Sequence, residues 1–171
     1  MTTAAKFGNY CALIGISIIL LLHYSGTSAF FTKGIGSLAS SFVEIIFIFL
    51  AIRATRDKDN GGYLDFRNCA RAGATMVLIN AILFTLFYYL YFQLIDITFV
   101  QDFLPDYEKW SKLAGKSDEE IKQTGKLLFE GFTPISAAWS SFSQTVFFET
   151  IIVLIAARIL RRNPPEHPAV A

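Results

Sequence analysis

Four long apolar stretches separated by charged segments constrain this chain more than any other feature. They run from about Gly8 to Tyr24, Ile35 to Ile52, Ala72 to Ile95 and Pro134 to Ala157. The first and third carry no charged side chain, the second carries only Glu44, and the fourth only Glu149. Each approaches the roughly 20 residues that a helix needs to cross about 30 Å of hydrocarbon. A helix of a water-soluble bundle would keep one face polar. Runs such as ISIILLLHY and FVEIIFIFLAI are instead apolar all round. Lipid admits only helices or closed barrels, and continuous apolar runs exclude the alternation of barrel strands. The expected fold is an all-α, integral-membrane bundle of four transmembrane helices, a single domain across residues 1–171.

Composition narrows the class further. Charged residues make up 17% of the 171 residues and hydrophobic ones 53%, whereas about a quarter of a soluble domain is charged. Too few charges remain to cover a globule in water. A net charge of +1 gives no electrostatic reason to expect a nucleic-acid partner. Cys11 and Cys69 form neither a metal-ligand cluster nor a disulfide framework. A secreted mini-protein, a disordered tail and an ordinary cytosolic enzyme are all excluded.

Lysines and arginines set the expected orientation. With four crossings, Lys6, Arg53, Arg56, Lys58, Arg67, Arg71, Arg158, Arg161 and Arg162 fall on one side, nine of the 15. The short connection from Arg53 to Arg71 is then cytoplasmic by the positive-inside rule. Both termini, including the tail 158–171, face the cytoplasm, and the loop 96–132 lies outside. Lys6, the first apolar run and Thr27-Ser28-Ala29 also imitate a signal peptide and its cleavage site. Retention as the first span is the expectation; cleavage would leave three spans with the N-terminus outside.

The connections carry their own signals. Asn60-Gly61-Gly62 is a turn, and Asp65 suits the cap of a short helix leading into the third span. Arg53, Arg56, Arg67 and Arg71 are candidate contacts to anionic lipid or a partner, against the plainer reading of boundary charge. The outer loop is too long for a simple connector. Ser117-Asp118-Glu119-Glu120 matches a capping box. It predicts a helix over about Asp118–Glu130, with Ile121, Gly125 and Leu128 on one face and an end at Gly131. Thr133-Pro134 reads as the cap and first residue of the last span. Phe99, Phe103 and Trp110 would seat a second short helix, making a hairpin on the outer membrane surface, as anchored connector, lid or docking surface.

Position along the spans is the most informative clue to a site. Glu44 lies nine residues from Arg53, Glu149 nine from Arg158, and Asn80 nine from Arg71. Nine steps of a helix are about 13–14 Å, close to half of a 30 Å core. Glu44, Asn80 and Glu149 therefore share one layer near the midplane. No basic side chain lies inside a span to neutralise the carboxylates, so protonation or a shared proton is expected. Ser37, Ser40 and Ser41 precede Glu44, and Ala138, Ser141 and Thr145 precede Glu149, at helical spacings. Gly73 lies seven residues before Asn80, and Gly8, Ala12 and Gly15 line the first span. Small residues so spaced let helices approach and hydrogen-bond across the contact. Tyr88, Tyr89 and Tyr91 read as an outer aromatic belt.

Catalysis finds no motif. His23 sits near a helix end and His167 in the tail NPPEHPAVA, and there is no phosphate loop, metal-ligand cluster or nucleophile elbow. No cofactor or metal is implied.

The segment AIRATRDKDNGGYLDF, the small-residue entry into the third span, the exit YFQLIDITFVQDF and the acidic SDEEIKQ stretch carry a resemblance. The chain resembles, from about Lys6 to Arg162, the membrane family known as domain of unknown function 4199, common in Bacteroidota. That resemblance implies a bacterial inner-membrane, four-span protein of a family without an assigned activity, and it transfers no functional residue. The expected role is a non-enzymatic scaffold or accessory subunit, partnered by the bilayer, by its own copies or by another membrane protein. The alternative is a small proton- or cation-coupled transporter in which Glu44 and Glu149 share the titrating site.

Overall fold

A computed structural model describes residues 1–163; the remainder of the tail, with His167, lies outside the described residues. Six α-helices follow in order: α1 (Thr3–Tyr24), α2 (Ala29–Ala54), α3 (Phe66–Leu90), α4 (Phe99–Leu113), α5 (Asp118–Gly131) and α6 (Pro134–Leu160). The ends of α2 and α3 loosen into π-helical turns over Thr55–Asp59 and Tyr91–Ile95. Each long helix outruns the apolar stretch that predicts it, because backbone hydrogen bonding continues past the hydrophobic edge until a cap or breaker stops it. Asp65 illustrates this. Its carboxylate accepts from the Asn68 amide at 2.8 Å and starts α3 itself, so the separate short helix expected there does not form. Likewise residues 158–160 of the expected tail still belong to α6.

Helices α1, α2, α3 and α6 are long and apolar enough to cross a membrane. Only 22–39% of each apolar window is buried within the protein. Leu13, Leu21, Phe42, Leu78, Ile82, Trp139, Phe147 and Ile155 all stand exposed. In water, so continuous an apolar surface would drive association; in lipid it is the solvated face. The molecule is an all-α membrane bundle.

The four long helices form a ring in the order α1, α2, α6, α3. The most extensive seams join α3 to α6, α1 to α2 and α1 to α3, while α2 and α6 meet over much less of their length. At the end of the bundle that carries the N-terminus, Cys11, Ile48, Ala51, Ile52, Cys69, Met76, Val153 and Ala156 form a dry core. Close approach is possible there because Gly8 and Gly73 have no side chain. A Cβ on Gly8 would stand 2.7 Å from the Met76 carbonyl oxygen, and one on Gly73 would stand 2.7 Å from Val153 Cγ1.

The α2–α3 connection closes this end. Gly61 and Gly62 adopt φ of 59° and 90°, where a side chain would strain the backbone. Leu64 and Arg162 exchange two backbone hydrogen bonds of 2.8 Å, tying the loop to the end of α6.

At the opposite end α4 and α5 form a helical hairpin. The Ser117–Glu120 capping box is made in both directions. These hydrogen bonds, from the Ser117 backbone first and its hydroxyl second, hold the Glu120 carboxyl below the usual carboxylate range. The hairpin docks on protein through aromatic rings: Trp110 stacks on Phe30 at 6.4 Å, and Phe99 packs against Phe92 at 4.8 Å and Phe132 at 5.2 Å. Ile121 is buried, a Cβ on Gly125 would lie 3.6 Å from Leu104 of α4, and Leu128 turns to the cavity described next. The helix includes Gly131, and Phe132 caps it.

Candidate functional site

Where α2 and α6 part, a cavity of about 640 Å³ runs from the hairpin end down to Glu44 and Glu149. Its walls are marked by helical periodicity. Lys33, Ser37, Ser40, Ser41 and Glu44 line it from α2, and Ser136, Ser140, Ser141, Gln144, Thr145 and Glu149 from α6. Spacings of three and four keep these residues on one stripe of each helix. Phe84, Tyr88 and Phe92 of α3 form the back wall, and Leu127, Leu128 and Phe132 border the cavity from the hairpin.

The floor is held by Asn80, which is fully buried. Its amide nitrogen donates to Glu44 Oε1 and to Glu149 Oε1, each at 3.2 Å. One NH2 group thus spends both hydrogens joining two carboxyl groups from different helices. Glu149 is 4% exposed, and Glu44 is half-buried. Among the described residues, the buried atoms Glu149 Oε2, Asn80 Oδ1 and Ser40 Oγ have no hydrogen-bond partner. Glu149 and Ser40 both line the cavity. Buried carboxyl oxygens without donors cost free energy, and a proton shared between Glu44 and Glu149 would supply a donor within the floor itself.

The layer of Glu44, Asn80 and Glu149 therefore lies in one hydrogen-bonded group, with Ser40, Ser41, Ser141 and Thr145 on the walls above it. The four arginines do not act alike. Arg67 and Arg71 are exposed, and Arg53, 68% exposed, pairs with Asp57 at 3.6 Å. Arg56 is buried, its Nε on Asp57 at 2.7 Å and its Nη1 donating to the Leu160 carbonyl at 3.1 Å. It braces the end of α6 from within and is not available to lipid or a partner. The tyrosines also part from the aromatic-belt expectation. Tyr89 is exposed, but Tyr88 faces the cavity. Tyr91 is 3% exposed, with its hydroxyl 2.9 Å from His23 Nδ1 and donating to Asp96 at 3.2 Å. Burial pushes the Asp96 carboxyl above its usual range. The π turn at Tyr91–Ile95 closes this contact, since the Asp96 amide reaches back to the Tyr91 carbonyl at 2.8 Å.

Lys33, Ser140 and Gln144 are cavity residues that the sequence reading did not single out, and Tyr88 is one that it read as belt. The repeat was visible, since Lys33, Ser37, Ser40/Ser41 and Glu44 recur every three or four positions. Lys33 nonetheless reads as loop charge until α2 is seen to begin at Ala29.

The family model described as "Protein of unknown function (DUF4199)" matches residues 6–162. The chain belongs to this family. No curated protein and no solved structure matches it.

Proposed function

We propose that this DUF4199 member is a small membrane protein that takes up a proton or a cation at the Glu44–Asn80–Glu149 layer, reached through the cavity between α2 and α6. The observation that carries this reading is a pair of carboxyl groups from different helices, joined through Asn80, at the floor of a hydroxyl-walled cavity. Intramembrane carboxylates facing a cavity are the usual form of an ion or proton path. In this proposal the chain crosses a bacterial inner membrane four times with both termini cytoplasmic. The arginines and lysines gathered at the terminus-bearing end support that orientation. The cavity then opens toward the outer side, bordered by the α4–α5 hairpin.

Carboxyl infrared bands of the purified protein, followed across pH in wild type, Glu44→Gln and Glu149→Gln, test the reading. A band that titrates, and moves when the partner is replaced, is expected of a coupled, accessible pair. Bands that stay unchanged across the range, with slow proton exchange, would sink it in favour of structural glue. Co-purification of a stable partner complex would then be the next measurement.

A further inference from the structure

We infer that the cavity binds a protonated amine carrying a single charge and an apolar body, with its ammonium group on the Glu44–Glu149 floor. The inference rests on the reading of that pair as an accessible site, and adds the class of occupant. Four features select it. An ammonium offers up to three N–H donors, and the half-buried Glu44 and the buried Glu149 bring two carboxyl groups to the cavity floor. Charge points the same way. Among the described residues Lys33 is the one basic residue lining the cavity, and it lies 11 residues before Glu44 in α2, about 16 Å of helix. The floor's carboxyl groups are therefore left for the occupant to meet, while Lys33 at the hairpin end, its ammonium 5.3 Å from the Phe99 ring centroid, disfavours a second cationic centre.

Size and centre argue against a bare metal ion. The Asn80 nitrogen already stands where the two carboxyl groups converge, 3.2 Å from each, and its N–H donors repel a cation placed there. A volume of about 640 Å³ far exceeds a dehydrated ion and falls within the roughly 300–1,000 Å³ of organic-ligand pockets. Phe84, Tyr88 and Phe148 in the wall supply apolar area and ring faces for the body of such an amine. Binding is an exchange: the ammonium enters with its charge, and one carboxyl proton leaves to water, so the charge of the site is unchanged.

Titration calorimetry on the full chain in phosphatidylcholine nanodiscs tests this, with phenethylammonium chloride as the probe. Repeating it in two buffers of different ionisation enthalpy counts released protons. Expected are saturable binding, release of about one proton, and a loss on the order of tenfold or more in Glu149→Gln, which removes a charge-assisted hydrogen bond. Ser141→Leu, which fills the wall, should also weaken the probe while the protein keeps its elution volume and helical spectrum. That second variant serves if Glu149→Gln does not fold. Equal binding of neutral 2-phenylethanol, or the same heat and proton release from sodium chloride alone, would overturn the inference. Carboxyl bands that titrate without any amine response would reject this occupant and leave the proton site standing. Bands that neither titrate nor respond to the amine would reject both.

Discussion

The α3–α6 seam and the α2–α6 seam share one helix yet are built in opposite ways. Along α3, α6 presents Val153, Ala156 and Ala157 to Gly73, Cys69 and Met76, and the contact is dry and close. Along α2 it presents Ser140, Ser141, Gln144, Thr145 and Glu149, and the helices stand apart around a cavity. Small apolar residues gain dispersion contacts only by approaching closely. Facing hydroxyls and carboxyls lose little by separating where something polar can enter between them. One helix thus separates a packed face from a cavity face, with Asn80 and Glu149 at the corner where the two meet.

Breaking the close seam should have the largest effect. Gly73→Ala puts a methyl 2.7 Å from Val153 Cγ1, and overpacking of that kind costs about 1–3 kcal/mol. Detergent-unfolding midpoints would measure it, and Val153→Ala in the same chain should recover part of the loss. Strict additivity of the two changes would contradict the packing described. Next in size is the corner. Asn80→Ala removes the donor common to both carboxyl groups, at a cost of about 1–2 kcal/mol. It should also separate the infrared bands of Glu44 and Glu149 into independent signals; bands still coupled without Asn80 would show that the amide does not join them.

The hairpin bordering the open seam should respond at its cap. Ser117→Ala costs about 1 kcal/mol of helix stability, visible as faster amide exchange over α5 with the α3 amides unchanged. Acid should act on the same cap. The Glu120 carboxyl is held below its usual range by Ser117, so its contribution is present above the unfolded value and lost as pH falls through the lowered one. Exchange over α5 that does not quicken on acidification would contradict that hydrogen bond. The smallest change belongs to the open wall. Ser41→Ala, on an exposed wall position, should shift stability by less than about 0.5 kcal/mol while making the cavity less polar. A larger loss would mean that the seam is a packed interface after all.

Much of the bundle was legible because lipid imposes a simple rule. A segment without charge for some 20 residues must satisfy its own backbone, and a helix does so. Nine residues from each boundary arginine pointed to the layer of Glu44, Asn80 and Glu149 before any contact was seen. Local chemistry was equally readable at Ser117–Glu120 and at Asn60-Gly61-Gly62, since caps and turns depend on neighbours a few positions apart. Depth along a helix follows from counting, whereas the direction a residue faces depends on which neighbour the helix meets. That is why Arg56 and Tyr91, typical boundary residues by type, turned out to be buried against Leu160 and His23. It is also why Lys33 could not be placed on the cavity wall.

The sequence by itself determined that the chain forms apolar helices, where their polar residues lie in depth, and how the connections are capped. The tertiary structure decided which helices close and which stay apart. That choice turns on the angle each helix presents to the ring, a sum of many small contacts. Only once it is made does a spaced row of serines become the wall of a cavity with two carboxyl groups at its floor.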